Sequence, residues 1–260
     1  MASPQGAFIG WKAFAAALAA AGCMGLTSLP ISAPAWVRNA LALRGGDQLH
    51  ATPTVARFVI DEGGAFVLDR SHRPATLKFD DSSEIWVLTQ SRGPRGDILF
   101  KDDVGDTLLR ATKLGGMTVF TSRRPQGSAA ALVGATTSLR LSYMGPAALY
   151  QRMIQASIRC TRLTRHLVGF EAPDADAKSA ALIGDSASLA VEAMIRVASQ
   201  PGGAVAVNKI NKVVVAKAAS PTAWLQRGVL VVYVTPSQGL SGHPSSAKIA
   251  QAIEHLASNP

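Results

Sequence analysis

Ile98-Leu-Phe-Lys-Asp-Asp-Val-Gly-Asp-Thr-Leu-Leu-Arg-Ala-Thr-Lys-Leu-Gly-Gly-Met-Thr-Val-Phe-Thr121 holds three short apolar runs and the turns between them. The runs are Ile98–Phe100, Thr107–Ala111 and Met117–Thr121, and the separators are Asp102-Asp103-Val104-Gly105 and Leu114-Gly115-Gly116. Short apolar runs broken by Gly and Asp are the pattern of strands joined by tight hairpins. Working upstream, the same spacing gives Val55–Ile60, Ala65–Leu68, Thr76–Phe79 and Ile85–Thr89. Their separators are Glu62-Gly63-Gly64, His72-Arg73-Pro74, Asp80-Asp81-Ser82-Ser83 and Arg92-Gly93-Pro94-Arg95-Gly96. Seven strands in this rhythm predict an antiparallel β-meander, or a small barrel, over residues 54–135.

Downstream of a Ser/Thr/Gly-containing stretch, Gly127 to Ser138, the period changes. Leu149, Met153, Ala156, Cys160, Leu163 and Leu167 form one apolar stripe at helical spacing, entered at Pro146. Cys160 falls within the stripe and reads as a buried structural thiol. Leu182, Ser186, Leu189, Ala193 and Val197 outline a second helix, stopped by Pro201-Gly202-Gly203. Two β-rich runs, Lys212–Lys217 and Val229–Thr235, read as a hairpin joined by a loop holding Trp224. A last helix starts near Pro244-Ser245-Ser246 and carries Ile249, Ala252, Ile253 and Leu256. The expected fold class is α+β: a β unit over 54–135, then a helix-helix-hairpin-helix unit over 140–258, possible as one packed domain.

Composition narrows the function classes. The chain has 260 residues, 48% hydrophobic and 17% charged, enough apolar material for a core. Two cysteines exclude a disulfide scaffold and a four-cysteine zinc site. His50, His72, His166, His243 and His255 never fall at the spacing of local metal motifs. There is no phosphate loop, dinucleotide fingerprint or zinc signature, so no cofactor and no metal ligand set is assigned.

The start of the chain reads as an export signal over residues 1–35. Lys12 and the amino terminus precede the apolar run Ala13–Ala21, and Ser32-Ala33-Pro34-Ala35 offers a small-residue cleavage site. The alternative is a retained anchor, since Ala13 to Val37 carries no charge, but the stretch is Ala/Gly-rich and Pro30 and Pro34 break a helix. Ala20-Ala21-Gly22-Cys23 also resembles the bacterial lipoprotein box, with Ala where Leu is usual, making Cys23 the candidate for lipidation. Residues 36–53 read as a flexible lead-in, and the mature chain is expected to be periplasmic or secreted without a transmembrane span.

The net charge of +9 is not spread evenly. Residues 136–170 hold five arginines and no acid, whereas 171–203 hold two basic and five acidic residues. On a helix, Arg152, Arg159, Arg162 and His166 share one face beside the apolar stripe. That face is a candidate contact surface for an anionic envelope component or an acidic protein partner. Nucleic acid is a poorer fit, because the aromatic interleaving of single-strand binders is missing.

Catalytic patterns are few. Gly184-Asp185-Ser186 spells the nucleophile motif of a lipase/esterase family, but inside a helical pattern. Ser245-Ser246-Ala247-Lys248 matches the Ser-x-x-Lys of penicillin-recognising enzymes without their other two elements, and helix capping explains its serines better. Asp102, Asp103 and Asp106, and likewise Asp80, Asp81 and Glu84, read as turn carboxylates before metal or acid–base groups. Arg95-Gly96-Asp97 spells an adhesion tripeptide in an ordinary turn. No catalytic residue is assigned, and a non-enzymatic role is expected.

Pro94-Arg95-Gly96-Asp97-Ile98, Asp103-Val104-Gly105, Leu109-Arg110-Ala111-Thr112, Gly115–Phe120, Phe170–Asp174 and Pro244–Ala250 together resemble a family of uncharacterised exported bacterial proteins, a domain of unknown function. The resemblance implies export and carries no activity to any residue. The expectation is an exported envelope or interaction protein, with a periplasmic small-molecule binding module next and a hydrolase of an envelope polymer last.

Overall fold

The structure is a computed structural model that describes residues 52–257. The expected signal over 1–35, Cys23 and most of the lead-in over 36–53 lie outside the described residues. Eight strands close into an antiparallel barrel. They are β1 (Val55–Ile60), β2 (Ala65–Asp69), β3 (Ala75–Phe79), β4 (Ile85–Arg92), β5 (Ile98–Lys101), β6 (Thr107–Ala111), β7 (Met117–Thr121) and β8 (Arg124–Ala135). Each of the first seven covers one of the apolar runs. Alternate residues point inward, and Phe58, Phe66, Leu77, Leu88, Phe100 and Leu109 fill the interior at 3% exposure or less.

The last barrel strand is an eighth, beyond the seven expected within the β unit. β8 bonds to β7 on one edge, with Thr118 opposite Ala129, and to β1 on the other, with Val59 opposite Ala131. Its Ala129-Ala130-Ala131 and Gly134 give no period-two signal of bulky side chains, so its main-chain ladders hold it. Closure removes both free edges that an open meander would expose. Gly127 makes the tight start of β8 possible. It has φ +88°, and a Cβ there would come within 2.6 Å of Thr118 and 2.8 Å of the Phe120 ring.

The second half comprises α1 (Pro146–Thr164), β9 (Gly169–Glu171), α2 (Ala180–Ala198), α3 (Gly203–Val207), β10 (Lys212–Lys217), β11 (Thr222–Gln226), β12 (Val229–Val234) and α4 (Ser246–Ala257). Its sheet runs β11-β12-β10-β9. Here the expected hairpin is corrected: β10 and β12 pair in parallel, Val213 opposite Leu230 and Val215 opposite Val232. The true hairpin is β11–β12, turning at Arg227 and Gly228, both with positive φ (47° and 79°). Trp224 therefore lies in a strand, not a loop. Thr222–Gln226 buries only Leu225, which is why its strand character was hidden.

Helix α2 is the centre of this half. Ile183, Ala187, Ala190, Ala193 and Met194 are fully buried, and its small residues let it pack against α1, α4, β10 and β12. Pro146 opens α1 and Arg165 closes it in the left-handed conformation. The expected stripe therefore ends early: Leu167 lies past the helix and is 75% exposed. Cys160 is fully buried, 3.4 Å from the Met194 sulfur, and burial pushes its thiol up to about 12 against the opposing pull of Arg159. That is a packing residue rather than a nucleophile.

Candidate functional site

The first turn of any helix leaves backbone N–H groups without partners inside the helix. At the start of α4 two barrel carboxylates supply them. Ser245 is the N-cap: its Oγ accepts from the Lys248 N–H at 3.1 Å. The same serine donates its own N–H to Asp103 Oδ2 at 2.9 Å and its hydroxyl to Asp103 Oδ1. Next along, Ser246 donates its N–H to Glu84 Oε1 at 2.8 Å and its hydroxyl to Glu84 Oε2 at 2.7 Å. Both carboxyl groups sit where the helix dipole favours negative charge. Arg196 of α2 donates to Ser246 Oγ at 3.1 Å and lies 5.7 Å above the Trp86 ring.

Glu84 is 4% exposed, and burial pushes its carboxyl up to about 7. The bonds from Ser246 and the charge of Arg196 work against that rise, and Asp103 works with it. Asp102 has a different task. Its side chain accepts from the Val104 and Asp106 N–H groups at 3.1 and 2.8 Å, closing the β5–β6 turn on itself.

Beside this junction lies a cleft of about 510 Å³ between the barrel and the segment 236–248. Ile85 and Val87 of β4 form an apolar wall, Asp103, Ser245 and His243 line its polar side, and Arg73 and Lys248 bring positive charge. His243 is 3% exposed, its Nε2 3.5 Å from Asp185 Oδ2. Burial raises the Asp185 carboxyl, opposed by His243, Arg152 and Lys78. A second groove of about 410 Å³ beside α1, walled by Tyr150, Ile154, Ile158 and Phe170, carries no charged side chain.

Two pairs of the residues singled out in the sequence, each from unrelated motifs, meet directly: Asp103 with Ser245 and Glu84 with Ser246. The others are scattered. Ser186 does not reach the cleft: it is fully buried in α2 and donates to the Leu182 carbonyl at 2.8 Å. Its neighbour Asp185 is the member of that tripeptide with a polar partner across the fold. Asp97 of the Arg-Gly-Asp tripeptide is buried and accepts from Arg110 Nε at 2.6 Å, and Asp80 pairs with Arg57. On α1, Arg152 donates to Ser188 at 3.2 Å, Arg159 pairs with Glu192 at 2.7 Å, and Arg162 is exposed in the last turn. His166 lies past the helix and its Nε2 donates to the Ile210 carbonyl at 2.9 Å. Sequence reasoning missed Glu84–Ser246 and Asp185–His243, whose partners are too far apart in the chain to form a local motif.

Fold and cleft together define an α+β protein in which a closed barrel grips an α/β unit by the start of its last helix. Over residues 38–253 the chain matches the family model described as Domain of unknown function (DUF4908), and it belongs to that family. No curated protein and no solved structure matches it. Among the described residues no group of three His, Cys, Asp or Glu side chains is placed to hold a metal ion, and no helix is long and apolar enough to cross a membrane.

Proposed function

We propose that the protein is an exported, non-enzymatic binding module of the bacterial envelope that takes a small polar ligand in the cleft beside α4. The observation that carries this reading is the cleft itself: about 510 Å³, lined both by the apolar Ile85 and Val87 of β4 and by several polar and charged side chains. That volume and that mixture are typical of small-molecule sites. Against a hydrolase, Ser245 Oγ is committed to the Lys248 amide and to Asp103, and Ser186 is sealed in the core. The basic face of α1 is a weaker basis for function, because Arg152 and Arg159 are already bonded to α2. Export rests on the n-region, apolar run and small-residue site of residues 1–35.

Two measurements test the reading. The mass of the protein from its native cell should begin at Trp36; a start at an acylated Cys23 would make it a tethered lipoprotein instead, and an uncleaved chain would remove the export claim. A thermal-shift screen of the purified chain against soluble metabolites should yield ligands that raise the melting temperature, since binding to the folded state alone stabilises it. A screen without any such ligand would count against the binding reading.

A further inference from the structure

The cleft holds more positive than negative charge that is free to meet a ligand. Arg73 sits at its barrel rim and is exposed; Lys248, in the first turn of α4, is half-buried. Among the described residues neither pairs with a carboxylate. The acid in the cleft wall, Asp103, directs both its oxygens at Ser245, through the N–H and the hydroxyl. Its two oxygens are thus engaged at the helix start, and it forms no ion pair with either cation, so one acid faces two cations in the cleft wall. The same cleft is also lined by the apolar Ile85 and Val87 and by the side-chain amide of Gln238.

Resting on the binding reading above, we infer that the cleft selects small molecules carrying an oxyanion, a carboxylate or a phosphoryl group, held by Arg73 and Lys248 with the body of the molecule against Ile85 and Val87. Guanidinium and ammonium groups make charge-assisted hydrogen bonds to either oxyanion, and removing them from open water strengthens the contact. Among the described residues neither side chain makes a hydrogen bond or ion pair, and only the main chain of Lys248 takes part in the α4 cap.

The test uses the full chain and matched probes: glucose, glucuronate and glucose 6-phosphate, benzamide and benzoate, and inorganic phosphate alone, titrated by calorimetry. Each anionic probe that binds should do so at least about tenfold more tightly than its neutral counterpart, the effect expected of one charge-assisted contact. Arg73→Gln and Lys248→Gln should each lower anion affinity by about tenfold and leave neutral probes unchanged. Glucuronate against glucose 6-phosphate separates carboxylate from phosphoryl, and phosphate alone shows whether the group suffices. Equal binding of charged and neutral partners would overturn the inference and leave the binding module standing. Anion binding untouched by both substitutions would place the anion elsewhere and overturn it as well. No binding by any probe at millimolar concentration would overturn the inference and weigh against the module itself.

Discussion

Glu84→Ala is expected to destabilise the protein by about 2–4 kcal/mol at neutral pH, because it strips a buried acceptor from the start of α4. The Ser246 N–H and hydroxyl lose the partners that hold them at 2.8 and 2.7 Å, in a place where Ser246 is fully buried. Arg196 loses the anion whose charge it faces. Chemical denaturation of the variant measures the loss; a change under about 0.5 kcal/mol, the range of ordinary surface substitutions, would show that the junction does not hold the two halves together.

Glu84→Gln separates charge from shape. Glutamine keeps one acceptor for the Ser246 amide, and the Ser246 hydroxyl can turn to accept from the new NH₂ group. What it removes is the titration. Glu84 titrates near 4.5 in the unfolded chain and at about 7 in the folded one. Between those values the folded state holds a proton that the unfolded chain has released. Stability therefore falls as pH rises through that window, by about 3 kcal/mol from this group, and levels off above it. Glu84→Gln should flatten the curve over the same window relative to the parent protein. Parallel stability–pH curves for the two proteins would mean that Glu84 ionises normally in the fold.

Phe66→Ala should cost about 3–5 kcal/mol, the largest effect expected in the barrel. Phe66 is fully buried, stacks on Phe58 at a centroid distance of 5.1 Å and meets the Phe79 ring edge-on at 5.8 Å. Alanine would leave a cavity between two rings fixed on β1 and β3, neighbours of β2 that cannot close in without breaking their ladders. The same denaturation experiment reads it, with Phe66→Leu as a smaller-cavity control. If Phe66→Ala cost no more than Phe66→Leu, the interior would be loosely packed and the ring contacts of little weight.

How much of this was legible in the chain differs by element. The strands from Val55 to Thr121 and the helices opening at Pro146 and Ser245 declared themselves, because alternation, helical spacing, proline and serine caps are local. β8 did not, since alanine and glycine carry no pattern and its place depends on finding β1 across the ring. Lys212–Lys217 and Val229–Val234 were visible as strands, but their parallel pairing was not. Two strands joined by a stretch that could be a loop look like a hairpin until the joining stretch is itself paired. At the site, the pair Ser245-Ser246 was recognisable as holding the helix cap, which the structure gives to Ser245, and Asp103 was recognisable as a turn residue. Their bond to each other is a property of neither motif.

The sequence by itself determined the two-part α+β plan, the burial of Cys160 and a serine cap at Ser245-Ser246, because those follow from periodicity and from side chains acting on their own backbone. Only the tertiary structure decided that Glu84 and Asp103, turn carboxylates by every local sign, would reach the first turn of a helix more than a hundred residues away. The physical reason is that an unpaired amide at a helix start accepts any anion the fold can bring within hydrogen-bonding distance. Which anion arrives is set by barrel closure and by the packing of α4, and no short stretch of chain encodes either.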